Sequence, residues 1–414
     1  MEGAEHCQRT PMTRRSSTPL PIVLGFTFLN SIATGVVTTG IAFLATAAYH
    51  FGPGANYLLS CLSGLTYTVG ALAAGPLAMA LQRRFPLVGP RSLLLVVIVG
   101  MALLATLPLA MDGTAAPWIL MALYSPLSGM SWPIVEAYLS GGRHELERAV
   151  VRFNITWSLA LSLGYWAMGP LLARAPLAIL GCVAALHLIS LAIAVQFDPV
   201  AARHEEEHVD PRAQQRAREQ LPWFRALLPV SYLLFSALTP ILPTTFGHLG
   251  IGIGWQAPLA ATWMIARFLT FGALGEWRGW FGHRVTPWVG GALIGVGFAI
   301  TVLAPRLLEP VIALPLTVAS LIAFGIGMGI VYTAALTYAL EAGRSEVDAG
   351  GTHEALIGAG YLFGPAAGLA AVGCVQFGFV PSTMLEPAMV ALAGVGALAV
   401  GGVGLGLARR ARSA

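Results

Sequence analysis

Apolar residues fill long stretches of this chain, and short polar segments separate those stretches. Each is about 20 residues long or more, the length that an α-helix needs to cross a bilayer. The first stretch is too long for the apolar region of a signal peptide and leads into many more. The predicted spans are 20–48, 56–82, 92–111, 116–139, 150–172, 176–196, 223–247, 255–276, 286–304, 310–340, 354–375 and 385–407. This pattern predicts an all-α membrane protein with twelve transmembrane helices.

One longer polar segment divides the spans into two groups of six. Residues 197–222 read FDPVAARHEEEHVDPRAQQRAREQLP and are rich in charge. We therefore predict two six-helix bundles, at residues 20–196 and 223–407, with this segment as the central loop. Short segments at 1–19 and 408–414 precede and follow the bundles.

The arginines predict how the spans are oriented. The chain is 56% hydrophobic and 10% charged, and its 23 Lys and Arg residues are all arginine. Twenty of these 23 fall on the side of the N-terminus, whereas Arg174 and Arg306 fall on the opposite side and Arg267 falls inside a span. The positive-inside rule then predicts that both termini and the central loop are cytoplasmic. We expect a monomeric, multi-pass protein of the plasma (inner) membrane, with the lipid bilayer and no nucleic acid as partner.

The two groups of spans share a repeated pattern. Spans four and five read WPIVEAYLSGGRHELERAVVRFNITWSLALSLGYWAMGP, and spans ten and eleven read VYTAALTYALEAGRSEVDAGGTHEALIGAGYLFGP. Each contains an acid, a Gly-Arg turn, and then a helix with Gly-Tyr and Gly-Pro pairs. Six-span halves that correspond in this way indicate a parallel duplication.

At this point the chain resembles the major facilitator superfamily of secondary transporters. The loop GPLAMALQRRFPLVGPR is similar to the family's Gly-x-x-x-Asp-Arg-x-Gly-Arg-Arg signature but lacks the acid, and GALGEWRGWFGHR keeps more of it, including Glu276 and Arg278. The segment GYWAMGP resembles the family's glycine-proline antiporter motif. The resemblance implies two pseudo-symmetric six-helix bundles that rock about a central site and expose it alternately to each face.

The resemblance also implies the function. We expect a secondary active transporter of a small organic solute, with an anionic solute as one option, coupled to a proton or solute gradient. Two alternatives stay open: a transporter of neutral sugar-like or drug-like solutes, and a receptor on the same scaffold that transports nothing. The chain has no Walker A motif, His-Glu-x-x-His motif or Gly-x-Ser-x-Gly motif with partners, so we expect no enzyme, no cofactor and no metal site.

Several spans carry polar or aromatic positions that can line a cavity. Polar residues are costly in lipid, so they should face protein or water. The candidates for solute binding are Asn30, Thr34, Trp132, Asn154, Ser158 and Tyr361. The alternative for each polar residue is a hydrogen bond between packed helices.

Arg267 lies near the centre of the apolar segment ATWMIARFLTF. A mid-bilayer arginine costs about 2.5–3.5 kcal/mol on insertion scales, so it should face the interior. Trp263, four residues earlier on the same helical face, can provide a cation–π contact. The functional hypothesis is a guanidinium that binds a carboxylate or phosphate of the solute; the alternative is a structural arginine that orders the bundle.

Acidic and basic residues near the inner ends of the spans suggest a gate or a coupling site. Glu136 and Glu354 can carry a coupling proton, and together with Arg152, Glu276 and Arg278 they can form a gate that breaks on opening. The alternative is a static network of ion pairs on the cytoplasmic side.

Two further features predict local structure. Pro240 and Pro243 should disrupt the seventh helix near its outer half. His187, in the middle of the sixth span, is expected to bond to a neighbouring helix rather than to shuttle protons.

Overall fold

The computed structural model describes residues 18–85, 88–140, 146–200, 211–342 and 346–413. These residues form α-helices, short 3₁₀ turns and connecting segments, with no strand among them. The predicted all-α fold is confirmed. The N-terminal segment up to residue 17, residues 201–210 of the central loop, and the Gly-Arg turns at 142–143 and 343–344 lie outside the described residues.

Among the residues that the structure describes, seven helices build each half of the chain. The first half contains α1 (Leu20–Thr38), α2 (Ile41–Tyr49), α3 (Pro53–Arg84), α4 (Pro90–Thr106), α5 (Ala116–Ser140), α6 (Leu146–Arg174) and α7 (Ala178–Ala194). The second contains α8 (Pro211–Leu238), α9 (Leu242–His248), α10 (Ile253–Glu276), α11 (Thr286–Leu307), α12 (Pro310–Glu341), α13 (Glu346–Gln376) and α14 (Leu385–Ser413).

These helices form the twelve predicted spans because two spans are each made of two helices. The first span is α1 with α2, and the seventh is α8 with α9. Within the described ranges, nine helices are long and apolar enough by composition to cross a membrane, and α7 is a shorter apolar helix. The helices α5 and α6 complete the set. We call the end of the bundle where α1 begins and α14 ends the near side, and the opposite end the far side.

The first and seventh spans are interrupted at equivalent places, close to the far side. In the seventh, α8 ends at Leu238 and α9 begins at Leu242, with Pro243 in its first turn. This confirms the predicted disruption, since proline cannot donate a backbone hydrogen bond. The sequence analysis missed the break after Thr38, where the backbone N–H of Gly40 bonds to the carbonyl of Gly35.

Several helices extend beyond the predicted apolar spans, α8 and α14 among them. The helix α8 begins at Pro211, twelve residues before the predicted boundary at residue 223, and α14 continues to Ser413. The added segments are PRAQQRAREQLP and ARRARS. Both are rich in Ala and Arg, which have high helix propensity. A boundary drawn from hydropathy stops where the apolar residues stop, although the helix does not.

The two halves meet along two pairs of helices, α3 with α13 and α6 with α10. Glycines bring these helices close together. Gly64 of α3 lies against the backbone of Tyr361 in α13, and Gly169 of α6 lies against Gly254 and Pro258 in α10. Small residues allow such an approach in membrane proteins. In span numbers, α3 with α13 is the second span with the eleventh, and α6 with α10 is the fifth span with the eighth. A two-fold relation between the halves exchanges these two pairs.

Further contacts close the far side between the halves. The hydroxyl of Tyr57 in α3 donates a hydrogen bond to the carbonyl of Ala237 in α8, at 3.0 Å. The rings of Phe43 in α2 and Phe246 in α9 are stacked with their centroids 6.5 Å apart. The broken spans α1–α2 and α8–α9 therefore meet each other at this end.

Other predicted features have structural roles inside one half. The hydroxyl of Tyr124 in α5 and Nε2 of His187 in α7 are 2.7 Å apart, which confirms the predicted bond to a neighbouring helix. The glycines of the tenth span pack closely: Gly325 lies against the backbone of Trp263, and Gly329 against Thr270. The helix α12 runs through them without a break.

Replacing Gly64 by alanine should push α3 away from α13, because the added Cβ would collide with the carbonyl of Tyr361. Overpacking of this kind costs about 1–3 kcal/mol, so we expect a clearly lower apparent Tm for the purified Gly64→Ala protein. The control is Gly295→Ala, where no atom lies within 4 Å of the added carbon. Equal melting temperatures for the two variants would contradict a tight contact between the halves at Gly64.

Candidate functional site

A central cavity of about 110 Å³ lies between the two halves. One water molecule needs about 10–15 Å³ of such space, so the cavity has room for a small solute or for several waters. A smaller space of about 40 Å³ shares Thr38, Thr39, Tyr67 and Tyr361 with it and is also lined by both halves.

The Ser and Thr residues of the cavity all belong to the first half. They are Ser31, Thr34, Thr38, Thr39 and Ser128, from α1, α5 and the turn after α1. The hydroxyl of Thr34 donates to the carbonyl of Asn30, as threonines in helices often do. The side-chain oxygens of Ser31 and Ser128 are buried and have no hydrogen-bond partner. These two hydroxyls can therefore bond to a guest in the cavity.

Both predicted carboxylates line this same cavity. Glu136 comes from α5 in the first half, and Glu354 comes from α13 in the second. Glu354 is 8% exposed, and its Oε2 atom has no hydrogen-bond partner. An ionised carboxylate is costly to bury without a partner. The pair therefore has capacity to bind a proton or a cation.

Aromatic rings form the rest of the wall. They are Tyr67, Trp132, Phe153 and Trp157 from the first half and Tyr232, Tyr332 and Tyr361 from the second. The rings contact one another across the halves. The centroids of Trp157 and Tyr332 are 5.8 Å apart, and those of Tyr67 and Tyr361 are 5.4 Å apart.

Arg267 lies behind this aromatic wall and is not among the residues that line the cavity. Its side chain is 2% exposed. The guanidinium carbon lies 4.6 Å from the ring centre of Trp157 and 4.9 Å from that of Tyr332. Phe271 and Trp263, on its own helix, stand 5.4 and 5.9 Å away. We call these rings, with that of Tyr232, the aromatic cage.

The polar contacts of the Arg267 guanidinium are few. One terminal nitrogen donates to the hydroxyl of Tyr232 at 2.9 Å, and the Nε atom has no hydrogen-bond partner. Among the described residues, Arg267 forms no ion pair with a carboxylate. The positive charge is thus stabilised chiefly by ring faces, which attract cations.

The remaining predicted binding residues lie outside the cavity lining. Trp263 packs on Phe235 of α8, with centroids 4.8 Å apart. Asn154 accepts a hydrogen bond from Nε1 of Trp157 at 3.0 Å and so holds a ring of the cage. Asn30 and Ser158 are buried, and their side-chain polar atoms have no hydrogen-bond partner. Of the predicted binding residues, the structure places Thr34, Trp132 and Tyr361 at the cavity.

The other predicted gating residues lie on the near side, away from the cavity. Glu276 and Arg152 are exposed at near-side helix ends. Arg278, just after α10, forms an ion pair with Glu341 at the end of α12, with 3.4 Å between nitrogen and oxygen. This ion pair thus connects the loop GALGEWRGWFGHR, which keeps more of the family signature, to the tenth span.

The sequence analysis missed several cavity residues, among them Tyr67, Tyr232 and Tyr332. A tyrosine in the middle of an apolar span carries a hydroxyl that needs a partner, and that signal could have identified them. The sequence alone does not show that these tyrosines from three different helices converge on one cavity.

Comparison with known proteins identifies the family. The model of the Major Facilitator Superfamily matches residues 23–365. No curated protein matches the chain at a significant level. Among solved structures, the nucleoside transporter NupG has a TM-score of 0.64 at 12% identity, covering 94% of this chain and 98% of its own.

Two other solved structures are similarly close. The peptide transporter POT has a TM-score of 0.67 at 13% identity, with 94% of each chain covered. A bacterial homologue of the human lysosomal transporter Spinster, in an inward-facing and unoccupied conformation, has a TM-score of 0.62 at 15% identity, covering 94% of this chain and 96% of its own. These likenesses show the shared fold of two six-helix halves. With the family model matching most of its length, the chain belongs to the Major Facilitator Superfamily and is a membrane transporter rather than an enzyme.

Proposed function

We propose that this protein is a secondary active transporter that moves a small organic solute by alternating access. The observation that carries the proposal is the central cavity, which residues of both halves line and which contacts between the halves close off from the far side. Rocking of one half against the other would change the side to which such a cavity opens.

The orientation in the membrane follows from the arginines. The near-side segments carry most of them, including Arg83 and Arg84 at the end of α3. We propose on the positive-inside rule that the near side is cytoplasmic. The far side would then face the outside of the cell, and a monomer would complete the transport cycle because both halves of the site are in one chain.

Glu136 and Glu354 are the proposed coupling residues. Two ionised carboxylates and the Arg267 guanidinium would give this buried region a net charge of −1. One proton on the glutamate pair would make it neutral, and burial favours neutrality. We therefore propose that the pair carries a proton through part of the cycle.

Arg267 supports a second candidate, a solute that bears a carboxylate or a phosphate. Its guanidinium forms no ion pair within the described residues, and Nε has a hydrogen to donate. Such a solute would reach the guanidinium only if a ring of the cage moved aside. In the alternative role, Arg267 is a positioning residue that holds Trp157, Tyr232 and Tyr332 in the cavity wall.

Removing the hydroxyl of Tyr232 should destabilise the protein, because the Arg267 guanidinium loses its hydrogen-bond acceptor. Hydrogen bonds to charged groups contribute about 1.5–3 kcal/mol, so the Tyr232→Phe variant should melt at a lower temperature than wild type. Tyr49→Phe is the matched control, because the hydroxyl of Tyr49 has no hydrogen-bond partner. Similar melting temperatures for both variants would argue that the Tyr232 bond contributes nothing.

A thermal-shift comparison of wild type and Arg267→Gln separates the two roles of Arg267. The probes are succinate, glycerol 3-phosphate, glucose and 2-phenylethylammonium. A ligand at a hundred times its Kd stabilises the folded state by about 2.7 kcal/mol. If Arg267 is a positioning residue, Arg267→Gln should lower the Tm measured without ligand and should reduce the thermal shift of every responding probe to a similar extent. Loss of the response to the anions alone would instead show that Arg267 binds the solute directly.

The coupling role predicts that Glu136→Gln slows gradient-driven uptake more than exchange. We would use proteoliposomes and the labelled probe with the largest thermal shift, with uptake driven by a pH gradient and exchange measured as counterflow. Glu309→Gln, an exposed carboxylate between α11 and α12, is the control and should match wild type in both assays. An equal loss of uptake and counterflow in Glu136→Gln would reject the coupling role. Absence of counterflow for every probe that binds wild type would argue for a receptor.

A further inference from the structure

We infer that the central cavity is built for an organic cation that carries a flat ring, such as an aryl-alkyl amine. The inference rests on the proposed function, because it names the solute of the same site. Three independent features of the cavity support it: the balance of charge, the aromatic wall and the unpartnered hydroxyls.

The charge balance favours a cation. Glu136 and Glu354 face the cavity, and among its described lining residues they are the only charged ones. The Arg267 side chain is 2% exposed and is separated from the cavity by Trp157, Tyr232 and Tyr332. A guest in the cavity would therefore meet carboxylates directly and the guanidinium only through rings.

The aromatic wall suits both the charge and the shape of such a solute. Ring faces attract ammonium groups and stack on flat rings. This wall already contacts one organic cation, the Arg267 guanidinium. Its central carbon lies 4.6 Å from the ring centre of Trp157 and 4.9 Å from that of Tyr332. Trp132, Tyr67 and Tyr361 present further rings to the cavity.

The unpartnered polar atoms supply the hydrogen-bond acceptors that an ammonium needs. The oxygens of Ser31 and Ser128 and the Oε2 atom of Glu354 are buried without a partner. All three residues line the cavity. A primary ammonium has three N–H donors and no acceptor, so it complements a set of oxygens that includes a carboxylate.

A neutral polyhydroxylated solute is the competing fit, because it could bond to the same hydroxyls and stack on the same rings. It would, however, leave the carboxylates without a counter-charge. An anion would face the two glutamates at close range, where like charges in a buried site repel strongly. The charge of the solute is therefore the property that the experiment has to resolve.

The test uses four probes that differ in one property each: 2-phenylethylammonium, 2-phenylethanol, phenylacetate and butylammonium. Their Kd values for the purified full-length protein would be measured by isothermal titration calorimetry. We expect 2-phenylethylammonium to bind at least about tenfold more tightly than the neutral alcohol, equivalent to about 1.4 kcal/mol. It should also bind more tightly than butylammonium, which lacks the ring, and phenylacetate should bind weakest.

The variants identify the groups responsible. Glu354→Gln should bring the affinities for the ammonium and the alcohol to within about threefold of each other, while Glu354→Asp should retain most of the preference. Glu309→Gln is the control for charge removed far from the cavity, and it should bind as wild type does. Should Glu354→Gln fail to fold, as judged by its Tm, Ser128→Ala provides a second test, with weaker ammonium binding expected.

The outcomes separate this inference from the transporter proposal. Tighter binding of phenylacetate or 2-phenylethanol than of the ammonium would overturn the cation preference, and so would no binding of the ammonium at millimolar concentration. Counterflow of the better-binding probe would meanwhile leave the transporter proposal intact. An ammonium that binds with the predicted preference but gives no counterflow would support the inference and contradict transport of that solute.

Discussion

The buried guanidinium of Arg267 imposes the strongest physical constraint on this structure. A charged arginine in the middle of a membrane span costs about 2.5–3.5 kcal/mol on insertion scales. A desolvated cation–π contact contributes about 2 kcal/mol or more, and a hydrogen bond to a charged group about 1.5–3 kcal/mol. The aromatic cage and the Tyr232 bond are therefore sufficient to offset the cost without a carboxylate partner.

The cage also joins the two halves. Arg267, Tyr232 and Tyr332 belong to the second half, whereas Trp157, the ring closest to the guanidinium, belongs to the first. When the halves rock, Trp157 must stay over the Arg267 guanidinium, or another group must take its place beside this charge. The rings of Trp157, Tyr232 and Tyr332 also line the cavity. A guest in the cavity and the buried arginine would therefore contact the same rings. We therefore expect occupancy of the cavity to affect the contact between the halves.

The fold was largely predictable because its signals are long-range averages over many residues. Twelve apolar stretches and an uneven distribution of arginines specify the spans, and no single residue decides them. The helix boundaries were less predictable, since α8 extends to Pro211 through a polar sequence that hydropathy does not detect. The break after α1 at Thr38 has only a glycine as its signal, whereas the break after α8 has prolines.

The site was only partly predictable. Charges inside or at the ends of apolar spans stand out, so that Glu136, Glu354 and Arg267 could be identified from the sequence alone. Which of them face the cavity depends on how the helices are rotated and packed, and this follows from contacts between distant segments. The structure places both glutamates at the cavity and Arg267 behind its wall. Asn30 and Ser158 were predicted to bind the solute, yet neither lines the cavity.

The contacts that close the far side have a further consequence for energetics. The Tyr57 bond to a backbone carbonyl and the stacked rings of Phe43 and Phe246 involve no charged side chain. Making or breaking them moves no net charge through the electric field of the membrane, which acts with about 2.3 kcal/mol per elementary charge at 100 mV. The membrane voltage would then act on the cycle mainly through the charges at its centre, namely the glutamate pair, Arg267 and whatever the cavity holds.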